Sequence, residues 1–172
     1  MITQNNLYLD KLDVKSLEEN MIKDGCGTLQ SHIDAGGADL NLSKSLYLND
    51  EIIGGYLLCE SDILISFKGC LKYTKKGIYT DMKVFVDKRF LNNYKHKKGI
   101  FSDYIYIDEK YRNKGYSKIL IDYSKSLGDY VWGGSIPETT SKYWLEKQNR
   151  IKIFQIDVDG HTELFTSTLI KT

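Results

Sequence analysis

Residues 100–128 read IFSDYIYIDEKYRNKGYSKILIDYSKSLG, and two periodicities meet inside them. Ile100 to Ile107 is β-branched and aromatic, the composition of a strand. From Tyr116 the apolar residues fall at Tyr116, Ile119, Leu120, Tyr123 and Leu127, the spacing of a helix with one buried face, and Gly128 stands where a left-handed C-terminal cap belongs. Between them lies RNKGYS, Arg112 to Ser117. A strand turning through such a segment into a helix points successive backbone N–H groups outward, at a helix end whose dipole favours anions. Gly115 has no side chain to block close approach. Together these features are a device for holding a diphosphate.

Working outward, Leu7 to Leu9 reads as a first strand, and Asp13 as the N-cap of a helix carrying Val14, Leu17 and Met21 and ending at Gly25. A second short helix is expected over Thr28 to Ala35, before Gly36 and Gly37. Ser45 to Leu48 and Ile52 to Cys59 flank Asn49-Asp50, a hairpin turn pair. Residues 62–99 are expected to add strands Ile63 to Phe67 and Ile78 to Val86 and a helix near Asp87 to Tyr94. After Gly128, Tyr130 to Trp132 reads as a strand, and Pro137 with Thr139 or Thr140 opens a helix through Gln148. Ile151 to Ile156 and Leu164 to Leu169 close the chain as strands around Asp159-Gly160. No repeat of fixed period is visible.

At 172 residues, with 41% hydrophobic and 27% charged residues and one proline, the chain is sized for a single globular domain and is too apolar to be disordered. Its longest strongly apolar run, Ile52 to Cys59, is far short of the roughly 20 residues a transmembrane helix needs. The start, MITQNNLYLD, lacks the basic and apolar regions of a secretion signal, so the cytoplasm is the expected compartment. Cys26, Cys59 and Cys70 form no CxxC and no Cys/His cluster, so they read as reduced packing residues and no metal site is expected. His32, His96 and His161 are scattered and read as structural or exposed.

The net charge of +1 hides an asymmetry, because Lys68 to Lys98 carries ten basic residues against Asp81 and Asp87. Aromatics interleave with these cations, as on surfaces that meet phosphate-rich partners, although the alternation in Tyr79 to Val86 also fits a half-buried strand with a solvated charged face. No RNP, KH or helix-turn-helix signature supports an RNA-binding domain. The Walker spacing GxxxxGK[ST] is absent and no GxGxxG follows a strand, so neither a P-loop NTPase nor a Rossmann dinucleotide domain is supported.

What IYIDEKYRNKGYSKILIDYSKSLG resembles is the acetyl-CoA-binding motif of the GNAT superfamily of N-acetyltransferases, [RQ]-x-x-G-x-[GA] after the fourth strand. The resemblance holds residue by residue over 100–148, and the order of elements agrees from Leu7 to Leu169. It implies a mixed α/β (α+β) fold with a mostly antiparallel central sheet and helices on both faces. It also implies a V-shaped gap between the fourth strand, 100–107, and the fifth, 130–132, and makes 62–99 a basic insert between the third and fourth core strands. It further implies that the backbone of Tyr106 and Ile107 pairs with pantetheine. Arg112 occupies the Arg/Gln position, and the N–H groups of Asn113, Lys114, Gly115, Tyr116 and Ser117 cradle the pyrophosphate. Ser117 stands where the family has Gly or Ala.

Family chemistry is direct attack of a neutral amine on the thioester of acetyl-CoA in a ternary complex, without a covalent enzyme intermediate. The usual acid for the thiolate is a tyrosine in a motif like FYEKLGF. Here KYWLEKQNR puts Leu145 at that position, leaving Tyr143 as the candidate acid and Trp144 as a core or pantetheine-wall residue. Asp103, on the face of Ile105 and Ile107, is the candidate base, directly or through water. The expected partners are an amine-bearing acceptor, small or macromolecular, an acidic partner for residues 68–98, and a second copy, since family members often dimerise. The displaced tyrosine keeps a rival open: an inactive GNAT-shaped module that binds or inhibits a protein or nucleic acid.

Overall fold

Local chemistry sets most element boundaries in the computed structural model, which describes residues 6–137 and 139–171. Residues 1–5, part of the stretch read for targeting, and Glu138, inside the helix expected from Pro137, lie outside the described residues. Asp13 caps helix α1 (Val14–Lys23), its carboxylate accepting from Ser16 N at 3.0 Å and from the Ser16 hydroxyl at 2.7 Å. Such a cap is worth about 1 kcal/mol. Gly25, at φ +74°, ends the segment. Helix α2 is shorter than expected, Gln30–Asp34. Strand β1 (Leu7–Lys11) pairs antiparallel with β2 (Lys44–Leu48), which pairs antiparallel with β3 (Glu51–Glu60). The turn pair Asn49 and Asp50 is left-handed at both positions, φ +50° and +66°, as a two-residue hairpin requires.

The segment read as strand Ile63 to Phe67 is instead helix α3 (Ile63–Lys75). Asp62 caps it, accepting from Leu64 N at 2.8 Å, and Ile63, Phe67 and Cys70 recur at helical spacing into one apolar cluster. The β-branched Ile63 and Ile65 suggested a strand, but capping and a stripe running past Phe67 decide for helix. The second expected strand shrinks to β4 (Asp81–Val84). It pairs with β7 (Ile151–Val158) at the edge of the sheet. The expected helix near Asp87 is α4 (Lys88–Asn92).

Strand β5 (Gly99–Ile107) and helix α5 (Ser117–Ser126) stand where the sequence places them. Gly128 is not the left-handed cap: positive φ is absent there, and a Cβ would sit 2.7 Å from the Lys98 carbonyl oxygen and 2.9 Å from Ile100. The residue is small because β5 passes against it. Strand β6 (Tyr130–Ser135) runs parallel to β5 over Gly99–Phe101 and antiparallel to β8 (His161–Ser167). The helix expected from Pro137 to Gln148 is reduced to a short turn whose last part, Tyr143–Lys147, is π-helical, closed by Gln148 N donating to Tyr143 O at 3.2 Å.

Eight strands thus form one mixed, mostly antiparallel sheet in the order β1-β2-β3-β5-β6-β8-β7-β4. The chain divides into two compact units. One comprises the residues up to Cys59 with Ser102–Leu127, the other Glu60–Phe101 with Gly128 to the C-terminus. The first is built on Leu17, Met21, Leu29, Leu57 and Tyr106, all at most 4% exposed. The second is built on Ile63, Tyr94, Tyr130, Trp132, Ile153 and Phe154. Full burial of one such side chain contributes about 1.5–3 kcal/mol.

Candidate functional site

The first unit carries the last part of β5, from Ser102, with the loop and helix on which the sequence motif lies. After β5, a 3₁₀ turn (Glu109–Tyr111) leads to Arg112, whose extended backbone (φ −65°, ψ +159°) starts the loop. Asn113 and Gly115 are left-handed, φ +61° and +82°, one residue apart. Such alternation turns consecutive N–H groups toward a common concavity. Among the described residues, no group accepts from the backbone N–H of Asn113, Lys114, Gly115 or Tyr116. Helix α5 follows without a side-chain cap. A Cβ built on Gly115 would meet nothing within 4 Å, so the corner is open. Lys114 and Lys118 flank it, the first donating to Lys110 O and lying over the Tyr111 ring, the second paired with Asp122.

The loop is braced from beneath by Asp24. Its Oδ2 accepts from the Tyr106 hydroxyl at 2.6 Å and from Glu109 N at 2.9 Å, and Arg112 Nη2 lies 3.4 Å away. These donors, the Tyr106 hydroxyl foremost, hold the Asp24 carboxyl below its ordinary range. Burial and the same contact push the Tyr106 phenol far up, so it stays protonated as a donor. Arg112 Nε donates to Ile107 O at 2.8 Å. The motif arginine therefore ties the end of β5 to the end of α1, and its side chain holds the loop's first residue in place. Glu51 braces the other flank, accepting from Lys110 Nζ at 2.5 Å and Tyr111 Oη at 2.7 Å.

Further back along β5, Asp103 Oδ2 lies 3.0 Å from Nδ1 of His32, a residue of α2. Its side chain is 17% exposed, and burial pushes the carboxyl above its ordinary range against the opposing pull of the imidazole. The His32 ring packs on Tyr104 with centroids 5.1 Å apart. The sequence makes Asp103 a candidate and His32 structural or exposed. The two residues stand 71 positions apart and no motif surrounds His32, so the sequence offers no signal for the pair.

Tyr143 and Trp144 belong to the second unit. Tyr143 is 38% exposed, its hydroxyl accepts from Gln148 Nε2 at 3.1 Å, and its ring stands edge-on to Trp144. Trp144 is buried beneath the Arg150 guanidinium, 4.0 Å from its ring centroid. The π-helical turn departs from α-helical spacing at this point, so a count from the Glu-Lys pair does not fix which side chain faces where. The same unit carries the lysines of the basic segment. Lys68, Lys72, Lys75 and Lys76 of α3 and its cap surround Leu71 in an open depression of about 440 Å³. None of the four is in an ion pair among the described residues.

The free cysteines are Cys26, Cys59 and buried Cys70, whose thiol burial pushes up to about 11. Among the described residues no group of three His, Cys, Asp or Glu side chains could hold a metal, and no helix is long and apolar enough to cross a membrane.

The fold is that of the GNAT acetyltransferases. Ard1 from Thermoplasma volcanium superposes with a TM-score of 0.60 at 9% identity, over 96% of this chain and 99% of that one. Arylalkylamine N-acetyltransferase 2 from Aedes aegypti gives 0.59 at 14%, over 97% and 100%. A chain of the NatC complex bound to Gag peptide and CoA gives 0.59 at 11%, over 97% and 99%. No family model matches the sequence, and no curated protein matches it. The likeness is one of architecture.

Proposed function

We propose that this protein is an acetyl-CoA-dependent N-acyltransferase, transferring the acetyl group to an amine acceptor by direct attack in a ternary complex. One observation carries the reading: four consecutive backbone N–H groups without an acceptor among the described residues, around an open Gly115, at an uncapped helix end following β5. Exposed donors in such a row, at a helix end, are a place where an anion can take over from water. The neighbours of like fold include a chain of a complex bound to CoA. In this reading the N–H groups of Asn113 to Ser117 hold the pyrophosphate of CoA, and the backbone of Tyr106 and Ile107 guides pantetheine along β5. Tyr143 protonates the departing thiolate. Arg112 acts as the brace that keeps the loop open.

The acceptor is an amine, small or macromolecular. The four lysines around Leu71 suit an acidic group on that acceptor or on a protein that carries it. A cytoplasmic location and a dimer belong to the same proposal. The alternative, an inactive module of the same shape, keeps CoA binding and loses turnover.

Thermal shift with acetyl-CoA tests the site. Ligand at a hundred times its Kd stabilises by about 2.7 kcal/mol. Gly115→Asp sets a carboxylate against the diphosphate at a left-handed position, so the Tm rise is expected to vanish in that variant. A persisting rise refutes the assignment. Thiol release against amines then separates the enzyme from the inactive module.

A further inference from the structure

The acyltransferase reading leaves open which group takes the proton of the acceptor. We propose that His32 accepts it at Nε2, with Asp103 as the positioning residue that fixes the ring. The inference rests on that reading and deepens it. Nδ1 of His32 faces a carboxylate oxygen at 3.0 Å, so the neutral ring carries its hydrogen on Nδ1 and its lone pair on Nε2. Among the described residues nothing bonds to Nε2, and the side chain is 34% exposed, so the basic nitrogen is open to solvent and substrate. The ring is held by more than the ion contact: it packs on Tyr104, while Asp103 fits where Gly37 has no Cβ, a position that would lie 2.8 Å from Oδ2.

The location fits the reaction. Asp103 lies four residues back from Ile107, about 13 Å of strand at 3.3 Å per residue, on the order of an extended pantetheine arm. A cofactor anchored at the loop and running back along β5 brings its thioester toward this pair. The charged and titratable groups that surround it are few. Asp103 and Tyr104 face it from β5, Asp103 and Asp39 (in the loop before β2) both act on the thiol of Cys59 on β3, and Cys26 and Arg112 act on Tyr104. On α2 itself Asp34 is bonded to Gln30.

The step balances without any further reagent. The ammonium proton of the acceptor passes to Nε2, and the freed lone pair forms the N–C bond at the acetyl carbonyl. As the C–S bond breaks, Tyr143 gives its proton to the departing thiolate and is reprotonated by the proton that the new amide nitrogen sheds. The imidazolium returns its proton to solvent. General-base assistance of this kind contributes about 10²–10⁴-fold.

The test measures CoA thiol release from acetyl-CoA across pH, with 2-phenylethylamine, a short peptide bearing a free α-amine, and water as acceptors. His32→Gln is expected to lose about 100-fold and the acid limb of the pH profile, with the acetyl-CoA Tm shift intact. Asp103→Asn is expected to lose about tenfold and to displace that limb. His161→Gln serves as the control and is expected to match wild type. Nitrogen-correlated NMR of the His32 ring reads the tautomer independently of turnover and is expected to show hydrogen on Nδ1. Hydrogen on Nε2 overturns the proposal. So does a wild type that binds acetyl-CoA yet releases no more thiol than His32→Gln. A wild type without a Tm shift overturns the acyltransferase reading, and the proposal with it.

Discussion

Two carboxylates, one beside β5 and one on it, are perturbed in opposite directions. At the Ile107 end of β5, Asp24 is saturated with donors, Tyr106 Oη, Glu109 N and Arg112, and its carboxyl is held down. Four residues back, Asp103 has one hydrogen-bond partner among the described residues, the His32 ring, and burial pushes its carboxyl up. A carboxylate with several fixed donors is a strut. One that is desolvated and shares a single titratable partner is poised to respond to proton movement. In the proposed reaction the contrast separates the part of the site that has to stay still, the loop offered to an anion, from the part where a proton has to move.

The largest effect expected on this contrast comes from Asp24→Asn. Its depressed carboxyl contributes stability that is present above the ordinary carboxyl range and lost as pH falls through its folded value. The variant should therefore melt well below wild type at pH 7, the gap closing in acid, and should bind acetyl-CoA weakly because the loop loses its brace. Equal melting at pH 7 would remove Asp24 from the strut role. Next comes Tyr106→Phe, which deletes one donor to a charged acceptor and should cost about 1–2 kcal/mol in urea unfolding without moving any pH limb of turnover. A displaced limb would mean that the two ends of β5 are coupled. The smallest effect is on the stability of Asp103→Asn. A carboxyl raised by burial contributes stability that is full below the ordinary carboxyl range and lost as pH rises through the folded value, so the ionised form is a liability at neutral pH. The variant should equal or exceed wild type at pH 7 by about 1 kcal/mol or less, with no gain near pH 3. Destabilisation at pH 7 would make Asp103 a second strut and erase the contrast.

Much of the frame was legible because its signals are short-range. The β-branched and aromatic composition of Ile100 to Ile107, the helical spacing from Tyr116 and the left-handed Asn49-Asp50 and Asp159-Gly160 turns all lie within a few residues of what they specify. Misreadings occurred where one local signal outweighed another. Ile63 to Phe67 has strand composition yet forms α3, because Asp62 caps it and its apolar stripe continues to Cys70. Gly128 looked like a cap and is small for a packing reason that only the neighbouring β5 supplies. Counting from the Glu-Lys pair assumed an α-helix where the backbone makes a π-turn.

The sequence by itself determined that a strand enters RNKGYS and a helix leaves it, with Gly115 free to turn left-handed, since backbone propensity and turn chemistry act between neighbours. Only the tertiary structure decided that Asp24 braces that loop from 82 residues away in sequence, counted to Tyr106, and that His32 meets Asp103 across 71. Contacts at such separations come from the packing of α1 and α2 against β5, and no periodicity in the chain encodes which polar tips that packing brings together.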